Sequence, residues 1–296
     1  MSQWLSRANA IRRCGPEAAL NPRAFFSRTG DPRRDGLARL LSAALRPPPG
    51  AGRIALALGW GLVTHLAFAG AGLAMVSAMF FGLSESLGRV PQPWAWAANL
   101  LLVAQFPLAH SLLLTRTGGR ILSRFVPGPH GAVLASTTYA FIASLQLIAL
   151  FVFWTPSGVV WWRAEGWVFA LVCAAYAAAW LMLMKASFDA GLEVQSGALG
   201  WLSLMGSVTV RFPDMPVLGL FRIIRQPIYA AFALTLWTVP VWTPDQLCLA
   251  AAFTLYCVLA PRLKERRFRQ RYGARFEAYR QRVPYFLPRW TRRIDP

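Results

Sequence analysis

The chain has 296 residues, of which 56% are hydrophobic and 15% charged, and its mean hydropathy is +0.41. This composition excludes an ordinary soluble globular protein, and the long apolar runs indicate an integral membrane protein. The formal net charge is +19. Because the lysines and arginines lie between the apolar runs, we interpret this charge as a membrane-orientation signal and expect no nucleic-acid partner.

Cysteine and histidine are scarce and dispersed. The chain contains Cys14, Cys173, Cys248, Cys257, His65, His110 and His130. No CxxC motif or cysteine–histidine cluster occurs among them. The sequence therefore predicts neither a disulfide framework nor a metal site.

Residues 1–53 form a basic N-terminal extension with ten arginines and no membrane-spanning run. We expect this extension to be cytoplasmic and mostly mobile, although its arginine-rich, acid-poor composition also resembles an organellar transit peptide. The stretch from Gly36 to Arg46 is an exception, because its apolar residues share one helical face. It is either a short helix on the bilayer surface or an ordinary linker helix.

The predicted fold is all-α and polytopic, with about six transmembrane helices and a C-terminal amphipathic helix. The apolar runs cover approximately residues 54–83, 94–115, 132–154, 166–187, 227–241 and 244–261. A span needs about 20 residues, so the last two runs are short, as in a tightly turned hairpin. We divide the chain into the extension 1–53, four helices and a loop over 54–221, the hairpin and C-terminal helix over 222–289, and a tail over 290–296.

Positive charge is distributed unevenly between the loops. Four segments, 1–53, 115–131, 185–226 and 261–296, hold 29 of the 31 lysines and arginines. With six spans, these segments all lie on one side, which the positive-inside rule makes the cytoplasm. We therefore expect a bacterial inner-membrane protein with both termini inside. Tryptophans predicted to anchor the outer boundary are Trp94, Trp96, Trp154, Trp161, Trp162, Trp167 and Trp242.

Polar residues within or beside a membrane are functional candidates. Arg225-Gln226-Pro227-Ile228-Tyr229 opens the predicted helix over 227–241. Proline suits a first helical turn, and the free N–H groups of that turn can bind a carboxylate or phosphate. Arg225 would add two donors for the same anion. The alternative is that Arg225 marks the membrane boundary and Tyr229 anchors it.

Glu265 lies in a strongly basic stretch. It could pair with Arg269, four residues further along a helix, or accept hydrogen bonds from ribose hydroxyls or an amino group. Beyond it, aromatic and aliphatic residues recur at spacings of four, four, three and four: Phe268, Tyr272, Phe276, Tyr279 and Val283. This pattern predicts an amphipathic helix on the membrane surface that could cover the hairpin.

His110 and Ser111 end the second apolar run. A lone histidine at such a place is either structural or a candidate general base, because histidine titrates near neutral pH.

Taken in order, these motifs resemble the membrane methyltransferase superfamily that includes isoprenylcysteine carboxyl methyltransferase, phospholipid methyltransferases, NnrU-like proteins and methanethiol S-methyltransferase. The family pattern is Arg-His-Pro-x-Tyr before a helical hairpin, Glu-Glu after it, then Gly-x-x-Tyr-x-x-Tyr and a Val-Pro…Pro ending. This sequence has Arg225-Gln226-Pro227-Ile228-Tyr229, Lys264-Glu265, Gly273 to Tyr279, and Val283-Pro284 with Pro288.

The resemblance covers roughly residues 95–289 and is closest to the methanethiol S-methyltransferase branch. Upstream segments that match this branch in order are Ala109-His110-Ser111, Phe125-Val126-Pro127, Ser136 to Tyr139, Trp154-Thr155-Pro156, and Phe188-Asp189 with Gln195. Two positions depart from the family pattern. Gln226 replaces the family histidine, and Lys264 replaces the first family glutamate.

The resemblance implies methyl transfer from S-adenosylmethionine, without a metal, to a small thiol or a lipophilic acceptor. It implies cofactor-binding roles for Gln195, Arg225, Gln226, Pro227, Tyr229, Glu265 and Tyr279, and catalytic roles for His110 and Arg262. The expected partners are the lipid bilayer and a small-molecule or lipophilic substrate. Two alternatives are an NAD(P)H-dependent membrane reductase of sterol-reductase-like architecture and a non-catalytic NnrU-like protein that binds haem or a partner.

Overall fold

A computed structural model describes residues 32–126 and 128–288, with side chains from residue 36 onward. Cys14, Pro127, the tail over 290–296 and most of the N-terminal extension lie outside these residues. The described helices are α1 (Pro32–Leu45), α2 (Ala51–Phe80), α3 (Trp94–Leu113), α4 (Arg116–Leu122), α5 (Gly131–Val152), α6 (Gly166–Gln195), α7 (Ala198–Met205), α8 (Pro227–Trp237), α9 (Pro244–Tyr272) and α10 (Ala274–Arg282). A 3₁₀ turn covers Gly219–Arg222, and β1 (Trp162–Arg163) pairs antiparallel with β2 (Val241–Trp242).

Five of the described helices, α2, α3, α5, α6 and α9, are long and apolar enough to cross a membrane. The all-α polytopic fold is therefore confirmed. The hairpin differs from the prediction in its proportions. Helix α8 has 11 residues, which rise about 16 Å, or half of an apolar layer about 30 Å thick. Helix α9 instead continues past the predicted end at residue 261 and ends at Tyr272, so that its whole length is 29 residues.

The connections between helices gather at two ends of the bundle. At the basic end, α3 and α6 finish and α8 begins. At the tryptophan end, α5 finishes and α9 begins, and the β1–β2 pair lies at this same end. Exposed tryptophans at this second end are Trp94, Trp96, Trp161, Trp162 and Trp167. The assignment of Trp154 as an interface anchor is wrong, because its side chain is buried and its indole N–H donates to Asp245 at 3.0 Å.

The main buried cluster lies toward the tryptophan end, where α8 and α9 meet α2 and α5. Its large members include Met79, Leu83, Leu150, Phe151, Leu236, Leu249 and Phe253. Lipid tails are as apolar as these side chains, so close packing rather than removal from water holds such a cluster together. This apolar cluster holds the α8–α9 hairpin at the tryptophan end. At the basic end, polar side chains make the contacts of the hairpin.

Both predicted amphipathic segments form helices that contact protein. In α1, Leu40 and Ala44 pack against Leu199 and Leu202 of α7. The predicted C-terminal helix over residues 268–283 is interrupted at Gly273, which has φ +53°. Positive φ favours glycine and ends a helix. Helix α10 consequently turns away from α9 and buries its apolar residues against Met215.

Candidate active site

The start of α8 is built as its sequence predicts. Pro227 occupies the first turn, where its missing N–H costs no helical hydrogen bond. Gln226 precedes it as the N-cap residue, with 1% of its surface exposed. The Arg225 backbone N–H donates to the Pro284 carbonyl at 2.9 Å. The family-like motif before the hairpin and the Val-Pro motif after it therefore meet at the basic end.

Four polar side chains, which we call the Glu265 cluster, meet beside this helix start: Arg225, Gln226, Lys264 and Glu265. The Glu265 carboxylate accepts from Arg225 Nε at 2.8 Å and from Gln226 Nε2 at 2.8 Å. Lys264 Nζ donates to Gln226 Oε1 at 3.1 Å. Gln226 thus bridges the two adjacent charged residues of α9, and both ends of its amide are used.

The predicted alternative pairing of Glu265 with Arg269 is wrong. Arg269 instead contacts Glu277 of α10 at 2.6 Å. Glu265 turns inward to Arg225, whose side chain is 11% exposed while that of Glu265 is 13% exposed. Hydrogen bonds to an ionised group of this kind are stronger than neutral ones. Glu265 is therefore held as an acceptor inside the basic end.

Three aromatic rings surround the Lys264 ammonium, and we call them the aromatic box. Lys264 Nζ lies 5.4 Å from the ring centroid of Phe221, 5.8 Å from that of Tyr229 and 5.5 Å from that of Phe268. Cations are attracted to aromatic faces within about 6 Å. Since the rings come from the 3₁₀ turn, α8 and α9, the box joins three separate elements.

Two side chains position the 3₁₀ turn that carries Phe221. Tyr279 of α10 donates its hydroxyl to the Phe221 carbonyl at 2.7 Å, and burial raises the pKa of Tyr279. Asp189 of α6 accepts from the Leu220 N–H at 2.8 Å. The approach is so close that a β-carbon on Gly219 would lie 2.1 Å from Asp189 Oδ2. The turn is therefore clamped between α6 and α10.

A small cavity lies between the Glu265 cluster and α10. Its lining residues are Pro216, Phe221, Arg225, Gln226, Lys264, Glu265, Phe268, Phe276 and Tyr279. It encloses about 10 Å³, roughly the room that one water molecule needs, whereas small-molecule sites usually measure about 300–1,000 Å³. A nucleoside-sized ligand would need the contacts of the cluster to open.

A second polar group, the His110 group, lies between α3, α5 and α9. His110 Nε2 and the Tyr139 hydroxyl are 2.6 Å apart. The other ring nitrogen, Nδ1, is buried and has no hydrogen-bond partner among the described residues. The Phe106 ring lies beside this pair, with its centroid 4.8 Å from that of His110 and 6.5 Å from that of Tyr256.

The structure brings most of the predicted site residues together. Arg225, Gln226, Glu265 and Tyr279 line the cavity, Pro227 starts the helix beside it, and Tyr229 contacts Lys264. His110 lies in the second group. Gln195 and Arg262 have exposed side chains and do not line the cavity, so their roles stay predictions.

Sequence reasoning did not assign Phe221, Phe268 or Pro216 to the site. Phe268 had a usable signal, because it is four residues from Lys264 and shares its helical face. No sequence signal assigns Phe221 or Pro216 to the site, because their positions depend on contacts of the 3₁₀ turn with α6 and α10.

Comparison with known proteins finds several relatives. The chain is 28% identical to methanethiol S-methyltransferase 1 of Bradyrhizobium diazoefficiens over 197 residues, which are 66% of this chain and 67% of that protein. It is 26% identical to methanethiol S-methyltransferase of Mycobacterium tuberculosis over 201 residues, 67% of this chain and 80% of that protein. It is 30% identical to nurim of Rattus norvegicus over 186 residues, 59% of this chain and 68% of that protein. No protein-family profile and no solved structure matches the chain.

Proposed function

The chain belongs to the membrane methyltransferase family that includes methanethiol S-methyltransferase and nurim, and from this premise we propose that it transfers a methyl group from S-adenosylmethionine to a small thiol. The observation that carries the proposal is the Glu265 cluster. It assembles the family-like motif positions from both ends of the hairpin, although Arg225 and Glu265 are 40 residues apart.

The residues present suit the chemistry of S-adenosylmethionine. Glu265 is an acceptor for ribose hydroxyls or an amino group. Gln226, Arg225 and the first-turn N–H groups of α8 are donors for a carboxylate. Tyr229 offers a ring face beside them. We propose that Glu265 binds the nucleoside part, that Gln226 and the start of α8 at Pro227 bind the carboxylate, and that Tyr279 keeps the adjoining turn in place.

When bound, the cofactor supplies an electrophilic methyl group on a sulfonium centre. The protein's own task is to align the acceptor with that methyl group and to exclude water. We propose that His110 accepts the thiol proton at Nδ1 while its Nε2–H donates to the Tyr139 hydroxyl oxygen. The thiolate is the nucleophile, so a base is needed wherever the pH lies below the pKa of the acceptor thiol.

The proposal places the basic end in the cytoplasm. The described helices and the family support an integral membrane protein, and the charge distribution predicts which end faces inside. We propose a bacterial inner-membrane location with both termini in the cytoplasm. A hydrophobic thiol would reach the His110 group from the bilayer, while S-adenosylmethionine would reach the Glu265 cluster from the cytoplasm.

Relatives named methyltransferase do not favour the two alternatives, a nicotinamide-dependent reductase and a non-catalytic protein. The decisive experiment is calorimetric titration of detergent-purified protein with S-adenosylmethionine. We expect micromolar binding that weakens at least about tenfold in Glu265→Gln and Tyr229→Leu, since a lost contact of about 1.4 kcal/mol is tenfold.

Glu277→Gln is the matched control, because Glu277 is a glutamate of the same basic end that pairs with exposed Arg269 and Arg280. Its affinity should equal that of the wild type. Absence of binding at millimolar cofactor, by protein shown to be folded, would overturn the methyltransferase proposal. NADPH binding or a haem absorption band would then identify the alternative.

A further inference from the structure

The aromatic box holds a cation in an unusual manner for a lysine. Three rings from three elements lie within 6 Å of Lys264 Nζ. A contact between one cation and one ring is common, whereas several rings around one cation form the type of cage that proteins use for cationic ligands. The box therefore has the construction of a cation-binding site, independently of which cation fills it.

Lys264 forms no salt bridge with any carboxylate of the described residues, although the adjacent Glu265 attracts its charge. Its hydrogen bond goes to the neutral amide of Gln226 at 3.1 Å. The oxygens of neighbouring Glu265 accept instead from Arg225 and Gln226. Lysine also has a flexible four-carbon stem with a compact charge. The ammonium can therefore leave the box without breaking the Arg225–Glu265 ion pair.

We propose that the aromatic box is the site for the sulfonium of the methyl donor, and that Lys264 occupies it until the donor displaces its ammonium. The proposal rests on the proposed function. A sulfonium carries a positive charge and no N–H or O–H donor, so aromatic faces suit it better than hydrogen-bond acceptors do. The polar groups that would bind the rest of the donor, Gln226 and Glu265, directly adjoin the box.

Two positive charges cannot share this partly buried box without strong repulsion. Lys264 must therefore weaken the binding of the sulfonium donor. It leaves the binding of S-adenosylhomocysteine nearly unaffected, because the demethylated product carries a neutral thioether. Lys264, which departs from the family pattern, thus lowers the affinity for the donor relative to the affinity for the product.

The test compares the two ligands by calorimetry in Lys264→Gln. Glutamine removes the charge and retains a polar group of similar length. We expect S-adenosylmethionine to bind at least about tenfold tighter than it binds wild type, equivalent to about 1.4 kcal/mol. The affinity for S-adenosylhomocysteine should change less than about threefold. Arg266→Gln is the control, because it removes an exposed positive charge two residues away on α9 and should change neither affinity selectively.

Phe268→Leu in the Lys264→Gln background provides a second test. It removes one ring of the box where no lysine competes for that ring, so the donor should lose affinity relative to Lys264→Gln and the product should not. Equal changes for donor and product in Lys264→Gln, or weaker binding of both, would overturn the proposal and make Lys264 an ordinary contact of the cofactor.

Trimethylsulfonium separates this inference from the proposed function. If trimethylsulfonium binds to Lys264→Gln but not to the double variant Lys264→Gln/Phe268→Leu, the aromatic box is supported as a sulfonium site. This support would hold even if no variant bound S-adenosylmethionine. Such a failure to bind S-adenosylmethionine would overturn only the methyltransferase proposal. If Lys264→Gln binds neither trimethylsulfonium nor S-adenosylmethionine, the box is not a sulfonium site.

Discussion

Arg225 and Glu265 form an ion pair of 2.8 Å between the segment that precedes α8 and the polar part of α9. Arg225 also donates from Nη1 to the Val283 carbonyl at 2.6 Å. One guanidinium therefore joins the beginning of the hairpin, its end and the segment after α10. This arrangement keeps a carboxylate available at the basic end while the surrounding chain stays closed around it.

The first prediction concerns that ion pair. Arg225→Gln should lower the free energy of unfolding by about 2–3 kcal/mol, because breaking a buried pair costs about 3–5 kcal/mol and this pair retains slight exposure. Thermal unfolding in detergent measures the loss. Arg269→Gln is the matched control, since its side chain is 51% exposed in its pair with Glu277 and an exposed pair contributes about 0–1 kcal/mol. Equal losses in the two variants would contradict the prediction.

The second prediction concerns Tyr279 and pH. Its folded-state pKa is raised, first by burial, so the neutral hydroxyl is favoured in the folded protein. The resulting stability is complete below the unfolded pKa of about 10 and is lost as pH rises above it. The melting temperature should therefore fall more steeply above pH 10 in the wild type than in Tyr279→Phe.

At neutral pH, Tyr279→Phe should itself be less stable by about 1 kcal/mol, the usual contribution of one hydrogen bond. The same thermal unfolding series from pH 7 to 11 gives both results. If the melting temperatures of the two proteins fall in parallel as the pH rises, Tyr279 is not the cause of the loss of stability at alkaline pH.

The third prediction concerns the His110 group. His110→Gln should lower kcat for an alkanethiol acceptor by about 100-fold near pH 7, the lower range for loss of a general base. The deficit should shrink as the pH rises toward the pKa of the acceptor thiol, because a growing fraction of the acceptor then ionises in solution. Tyr139→Phe should show a smaller loss with the same pH trend. Methylation rates from pH 6.5 to 9.5 provide the measurement, and a deficit that is constant with pH would indicate a purely structural histidine.

The fourth prediction concerns the clamped turn. Gly219→Ala should destabilise the protein by about 1–3 kcal/mol, because Gly219 has φ +62° and faces Asp189. Gly72→Ala in α2 is the control. Its β-carbon would meet nothing within 4 Å, and alanine is favoured over glycine in a helix by about 1 kcal/mol. Comparable effects of the two substitutions on the melting temperature would argue against the clamp.

Hydropathy predicted the helical fold well because each long span is apolar along most of its length. It did not predict how far α9 extends, since the basic residues after Arg262 continue the helix without a breaker until Gly273. It also misplaced Trp154. Nothing local distinguishes this tryptophan from its exposed neighbours, and its burial depends on Asp245, 91 residues away.

The site was predictable to the extent that its motifs resemble a family. The residues from Arg225 to Tyr229 and Glu265 meet as expected, because a hairpin returns to the end where it begins. Lys264 was recognised only as a departure from the pattern. Its surroundings could not be predicted, because the rings of Phe221, Tyr229 and Phe268 approach one another through tertiary contacts.

The shortness of α8 has a consequence for insertion into lipid. A helix of 11 residues reaches through about half of the apolar layer. Because α8 begins at the basic end beside Glu265, the non-helical chain between its end and α9 must cross the other half. Non-helical backbone at such depth needs internal hydrogen-bond partners. Gln246 donates to the Leu236 carbonyl, the Ala164 N–H donates to the Pro240 carbonyl, and the Trp161 N–H donates to the Trp242 carbonyl. These partners make a half-helical, half-extended crossing of the bilayer energetically tolerable.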